Sequence, residues 1–163
     1  MQSAFKIKIH QRSARGWLLG FAVALFLSGV TAIPLPFELS VLNRWFPKVE
    51  WLQKVAAALA DVHHRYPFLL YGTDWLAFAH FVLAILFVGA ARNPMRNKWV
   101  VEFGLIACSL VIPFALYLGN LRGIPFWWRL IDCSFGILGW LPLGMAWHHI
   151  RKGEEAKPVN VWA

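Results

Sequence analysis

The stretch WVVEFGLIACSLVIPFALYLGNLRGIPFWWRLIDCSFGILGWLPLGMAW, residues 99–147, decides the fold. It contains two apolar runs, 99–120 and 125–147, and each is long enough to cross a bilayer, which takes about 20 helical residues. Only residues 121–124 separate the two runs. The stretch therefore predicts two membrane-spanning helices joined by a tight turn.

Two further apolar runs, 17–36 and 72–91, have the same length and character. In the whole chain of 163 residues, 59% are hydrophobic, 15% are charged and the mean hydropathy is +0.53. This composition lies outside the range of soluble domains. It predicts an all-α integral membrane protein, a four-transmembrane-helix bundle that forms one domain over residues 1–163.

The net charge of +8 reflects topology and not nucleic-acid binding, because the basic residues lie at the ends of the apolar runs. Residues 1–16 carry four Lys or Arg, residues 92–98 carry three and the tail after Trp147 carries three. The positive-inside rule then predicts a multi-pass protein of the bacterial cytoplasmic (inner) membrane with both termini inside. Tryptophans agree with this orientation; they are Trp17, Trp99 and Trp147 at the inner interface and Trp75, Trp127 and Trp128 at the outer one.

The first apolar run has an alternative interpretation as a secretory signal, because a basic segment precedes it and Val30-Thr31-Ala32 resembles a cleavage site. Its length favours a resident helix. So do Gly20, Ala24 and Ser28, which recur at intervals of four and allow another helix to approach closely. Similar small residues follow the third and fourth runs: Gly104, Cys108, Ala115, Gly119, Gly136 and Gly139.

The first outer loop, 37–71, contains a segment with helical periodicity at about 48–66. Its apolar positions share one face, which predicts an amphipathic helix on the outer membrane surface or over the bundle. His63 and His64 point to different sides of such a helix, so no metal site is expected there. The two cysteines, Cys108 and Cys133, are expected to be buried free thiols.

Polar residues gather in the outer half of the predicted bundle. His80 and Asp132 should lie at the same depth, because each is seven or eight residues from the outer end of its helix. An ionisable residue inside a membrane suggests a functional site. The candidate ligand-binding residues are Arg122, Arg129, Asp132, Asp74, His80, Trp127 and Trp128, and the candidate catalytic residues are His80 and Asp132.

Each of these residues also has a structural interpretation. Asp132 could pair with Arg129 or Arg122, and Asp74 could cap a helix start. His80 could hydrogen-bond across helices. At the inner interface, Glu102 lies four residues after Lys98 and could pair with it.

The run from YPFLLYGTDWLAFAHF to RLIDCSFGILG, residues 66–139, resembles an uncharacterised family of small bacterial four-helix membrane proteins, and this resemblance implies no activity. The order Arg122, Asp132, Gly136 and Gly139, with His80-Phe81, is more faintly similar to the VanZ-like family, which is associated with glycopeptide-antibiotic resistance. The chain departs from that pattern at ALYLGN, residues 115–120, and lacks the asparagine after the aspartate.

Three classes of function remain. The leading one is an accessory or binding protein whose outer cluster holds an anionic lipid headgroup or a membrane partner subunit, with the bilayer as its environment. The second is an intramembrane enzyme acting on an envelope lipid, which is less favoured because no nucleophile, metal or cofactor motif is recognisable. The third is a transporter or proton-path component. No cofactor and no nucleic-acid partner are expected.

Overall fold

The computed structural model describes residues 2–156, and these residues form helices without a β-strand. Residue Lys157, part of the basic tail that enters the topology prediction, lies outside the described residues. The helices are α1 (Gln2–Ala32), α2 (Leu35–Trp45), α3 (Glu50–Arg65), a 3-10 helix (Pro67–Leu70), α4 (Tyr71–Arg92), α5 (Lys98–Leu121) and α6 (Phe126–Glu155).

Four of the helical segments are long and apolar enough to cross a membrane. These segments are Ala4–Ala32, Pro67–Arg92, Lys98–Leu121 and Phe126–Glu155. The shortest has 24 residues, above the approximate minimum of 20. The predicted all-α class with four such helices is therefore confirmed, as far as residues 2–156 extend.

The first helix differs from the predicted run in both bounds. Helix α1 begins at Gln2, so the basic segment before residue 17 is helical, and its 31 residues extend over about 46 Å. It ends at Ala32, two residues before Pro34. Proline lacks a backbone N–H and cannot continue a helix, but it is tolerated at a helix start. Pro34 accordingly caps the unpredicted helix α2, and Pro36 lies in its first turn.

The chain divides into two compact units. The hairpin unit contains residues up to Ala22 and from Ile85 onward, and the loop unit contains Val23–Ala84. Helices α1 and α4 contribute residues to both.

In the hairpin unit, α5 and α6 run antiparallel and approach each other closely at glycines. A Cβ atom on Gly136 would lie 2.5 Å from the Cys108 carbonyl oxygen. Gly104 similarly faces Phe87 and Leu143, which are both almost completely buried. Gly136 thus allows the two backbones to approach each other, and Gly104 leaves room for large core side chains, whereas a Cβ atom on Gly20 of the predicted small-residue track in α1 would meet nothing within 4 Å. Other fully buried core side chains are Leu18, Val101 and Ile150.

The turn between α5 and α6 has the geometry of a Schellman motif. The Ile124 N–H donates to the Gly119 carbonyl at 2.9 Å, and the Gly123 N–H donates to the Asn120 carbonyl at 3.1 Å. This motif requires a left-handed residue after the helix cap, and Gly123 has a φ of 68°. Pro125 then starts α6, so the chain reverses within a few residues.

In the loop unit, α3 packs against α2 and against the 3-10 helix. Leu39 of α2 and Leu52 of α3 are buried at these contacts. The end of α1 meets the beginning of α4 in the same unit, where Gly29 leaves room for the Phe81 ring. Helix α3 occupies Glu50–Arg65 within the predicted segment 48–66, and its placement on a membrane surface stays a prediction.

Candidate functional site

Arg129 lies at the turn end of the α5–α6 hairpin and reaches across to α5. Its position in the second turn of α6 follows from Pro125, whose carbonyl accepts the Arg129 N–H at 3.1 Å. The Arg129 Nη1 group donates to the Leu116 carbonyl at 3.1 Å and to Asn120 Oδ1 at 3.4 Å. A cation is favourable here, because the carbonyl end of a helix carries partial negative charge.

Gly119 makes this arrangement possible. A Cβ atom at this position would lie 2.5 Å from Arg129 Cδ and 2.6 Å from Arg129 Cγ. The aliphatic part of the arginine therefore occupies the space that any other side chain at 119 would fill. The Phe126 ring lies 5.3 Å from Arg129 Cζ and covers the guanidinium from α6.

Among residues 2–156, no carboxylate lies within 4.0 Å of this guanidinium. Asp132 follows Arg129 by three residues, but the ion pairs in the described chain join other residues, and none involves Arg129, Arg122 or Asp132 at 4.0 Å or less. Arg129 Nε is buried and has no acceptor within the described residues. A buried N–H group normally has a hydrogen-bond acceptor, so this unsatisfied donor is unusual.

The other candidates in the hairpin unit lie near this turn. Arg122 is the C-terminal cap of α5 and is exposed. Asp132 is partly exposed, one residue before the buried Cys133. The rings of Trp127 and Trp128 meet edge to face, with 5.4 Å between centroids, and Trp127 is 44% exposed.

The remaining candidates, Asp74 and His80, lie in the loop unit. Asp74 is exposed in the first turn of α4. His80 Nδ1 lies 2.8 Å from the Leu76 carbonyl oxygen on its own helix. Because a carbonyl only accepts, Nδ1 carries the proton in this hydrogen bond. The predicted convergence of Asp74 and His80 with the hairpin-unit residues stays a prediction.

Asn120 and Gly119 were missed as the partners of Arg129. Sequence spacing indicates neighbours on one helix and therefore favours Asp132, three residues away. The signal for the cross-helix partner is the short turn, since a turn at 121–124 places residue 119 opposite residue 129. The spacing of residues along one helix does not give the register between the two helices of a hairpin.

The end of the α5–α6 hairpin opposite the turn also differs from the sequence interpretation. Lys98 Nζ lies 3.3 Å from Glu154 Oε2 and 4.5 Å from the Trp147 ring centroid. Glu102, the neighbour expected from spacing, forms no ion pair within residues 2–156. Lys98 thus links the start of α5 to the end of α6.

The two cysteines are free and buried, as expected. Among the residues that the structure describes, no three or more His, Cys, Asp or Glu side chains form a group able to hold a metal ion.

No protein-family model matches this sequence, and neither a curated protein nor a solved structure shows significant similarity to it. The resemblances to small bacterial membrane proteins therefore stay predictions.

Proposed function

We propose that this chain is a small multi-pass protein of the bacterial cytoplasmic membrane that binds an anionic lipid headgroup at the α5–α6 turn. Arg122 and Arg129 would hold the phosphate of the headgroup. Trp127 and Trp128 would lie at the lipid–water interface beside it, where tryptophan is favoured.

The observation that carries the proposal is the uncompensated charge of Arg129. Its guanidinium is held by two acceptors on α5, lies under Phe126, and has no carboxylate within 4.0 Å in the described chain. An unpaired charge in a membrane environment costs a few kcal/mol on insertion scales. A bound anion would remove that cost by neutralising the guanidinium.

The planar guanidinium of arginine suits a phosphate better than the compact ammonium of lysine does. Arginine presents a planar set of donors that pair with two oxygens of one phosphate, and guanidinium is more weakly hydrated than ammonium. Nη1 already donates to the Leu116 carbonyl of α5, and this hydrogen bond fixes the plane of the guanidinium. The exposed Arg122 adds a second, adaptable cation. Asp132 would accept a donor group of the same headgroup.

The proposed orientation places the α5–α6 turn outside the cell. It rests on the basic residues at the opposite ends of the spans, in residues 1–16 and 92–98. In this orientation the predicted first outer loop, residues 37–71, would also lie outside the cell, and α3 would lie at the outer surface. The exposed aromatic side chains of the loop unit, such as Trp45 and Tyr66, suit an interfacial position.

Lipid retention tests the proposal. Wild-type protein and the variants Arg129→Gln and Arg122→Gln would be extracted in mild detergent and measured by native mass spectrometry after addition of phosphatidylglycerol or phosphatidylcholine. We expect one retained phosphatidylglycerol per wild-type chain and about a tenfold weaker apparent affinity in each variant, equivalent to about 1.4 kcal/mol.

Arg65→Gln is the matched control, because Arg65 is exposed and paired with Asp61 at 2.8 Å in the loop unit. It should leave lipid retention unchanged. Equal retention in Arg129→Gln, at an unchanged unfolding temperature, would contradict the proposal. A discrete protein subunit retained in place of lipid would instead support the partner-helix alternative.

The enzyme alternative has less support. It requires Asp132 to orient His80 as a base, but the Nδ1 proton of His80 is directed to the Leu76 carbonyl. In the neutral ring, Nε2 is then an acceptor, and a carboxylate cannot accept a proton from it. The Leu76 carbonyl, and not Asp132, is then the group that orients the His80 ring.

A further inference from the structure

Two histidines meet at the other end of the hairpin unit, away from the arginines. His10 is on α1 and His149 is on α6, and 3.2 Å separates their Nδ1 atoms. Their ring centroids are 5.5 Å apart with a tilt of 38°. Both rings are only partly buried, so each is accessible from outside the protein. The two Nδ1 atoms lie within hydrogen-bond distance of each other.

We infer that His10 and His149 form a binding site for a divalent transition-metal ion of the Zn²⁺ class. Zinc binds histidine nitrogen at about 2.0–2.1 Å in a tetrahedral arrangement. Two ligand atoms on one such ion are then about 3.3 Å apart, by geometry from those bond lengths. The observed 3.2 Å separation matches this value, so both rings can ligate one ion with little movement.

Packing around the pair holds the rings in place. Ala14, one turn after His10, and Ile150, the neighbour of His149, are completely buried. Gly153 is buried where α6 meets the His10 Cβ atom, and a side chain there would collide with Met95. Because backbone packing and not a flexible loop sets the ring separation, the two ligands are preorganised.

The site offers two protein ligands and leaves the other coordination positions to water. Within the described residues, no third His, Cys, Asp or Glu joins the pair. Both flanking sequences are rich in Lys and Arg, which weakens the binding of any cation. We therefore expect affinity in the micromolar range and rapid exchange, as in a sensing or transfer site and unlike a closed structural site.

Metal binding requires an unprotonated Nδ1 on both rings. In the neutral pair without metal, one Nδ1–H donates to the other Nδ1. When the ion binds, the donating ring moves its proton to Nε2 and both Nδ1 lone pairs face the ion. Protonation of either ring blocks this arrangement, so protons compete with the ion for the site.

Calorimetric titration of the full chain, purified without a histidine tag, tests the site. Zinc chloride would be added to protein in detergent at about pH 7.5, where free histidine is neutral. We expect one zinc per chain, and a loss of at least about tenfold in affinity for both His10→Gln and His149→Gln.

His64→Gln is the matched control, because His64 is exposed beside His63 at the end of α3. Its zinc affinity should equal that of the wild type. Absence of zinc binding to a folded wild-type protein would overturn the inference and leave a shared proton as the role of the pair. Zinc binding that His64→Gln removes, or that both ring variants retain, would overturn it as well. A zinc-dependent rise in unfolding temperature, present in the wild type and absent in His10→Gln, checks the result if His149→Gln is poorly folded.

Discussion

A methyl group at Gly119 would lie 2.5 Å from Arg129 Cδ, closer than two carbon atoms can approach. The arginine side chain is flexible and would move away, but it would then lose its hydrogen bonds to Leu116 and Asn120. At the scale of single residues, this contact decides where the charge of Arg129 lies. It also shows that a residue without a side chain can position one with a large side chain.

Gly119→Ala should therefore weaken both the fold and the proposed lipid binding. We expect a loss of about 1–3 kcal/mol in the free energy of unfolding, as for other insertions into packed sites, together with reduced phosphatidylglycerol retention. Thermal unfolding in detergent and native mass spectrometry would measure the two effects. Gly144→Ala on α6 is the control, since a Cβ atom there meets nothing within 4 Å and should be neutral or slightly stabilising. Similar unfolding temperatures for the two variants would count against this account of Gly119.

Arg129 also shows which features of the candidate site could be predicted from single residues and which could not. Arg129, Asp132 and the glycines could be selected from the sequence, because charges and small residues are unusual in apolar runs. The acceptors of Arg129 could not be selected by spacing along one helix. They depend on the register between α5 and α6, which the turn sets.

At the scale of elements, that turn is the most sharply specified feature. Gly123 adopts a φ of 68°, and its N–H and that of Ile124 satisfy carbonyl groups at the end of α5. Residues with a Cβ atom are strained in this left-handed conformation. The turn therefore selects glycine through its backbone, although a Cβ atom there would contact nothing.

Gly123→Ala should lower the free energy of unfolding by about 1–2 kcal/mol. Gly123→Asn should cost less, because asparagine tolerates the left-handed region and is the usual substitute at this helix-end position. The midpoints of thermal unfolding, compared under one detergent condition, would establish the order Gly, Asn, Ala. An alanine variant as stable as the wild type would show that the turn can adopt another geometry.

Helix prediction succeeded where one physical signal dominated. Long apolar runs identified four helices, because only a helix satisfies its backbone polar groups within such a run. Helix α2 was missed because the first apolar run was taken to continue through Pro34 and Pro36 and residues from 37 were assigned to the outer loop, whereas α1 ends before Pro34 and the prolines start a new helix. The helical N-terminal extension of α1 was missed because its basic residues were interpreted only as flanks of the membrane span.

At the scale of the whole molecule, the proposed orientation can be tested directly. In a background with Cys108→Ala and Cys133→Ala, single cysteines would be placed at two exposed positions, Ala57→Cys in α3 and Asn93→Cys between α4 and α5. A membrane-impermeant maleimide added to intact cells should label residue 57 and not residue 93. Cell lysis should make residue 93 reactive. Labelling of residue 93 in intact cells would reverse the orientation or change the number of spans.

The brevity of the α5–α6 turn has a consequence for biosynthesis. Only Arg122 to Pro125 lie between the two helices, so the start of α6 stays within a few residues of the end of α5 while the chain is synthesised. The two helices are therefore expected to leave the translocon as a pair, already packed at their glycines. Arg129 could then meet its acceptors on α5 before lipid surrounds it, and its guanidinium would enter the bilayer with hydrogen bonds already formed.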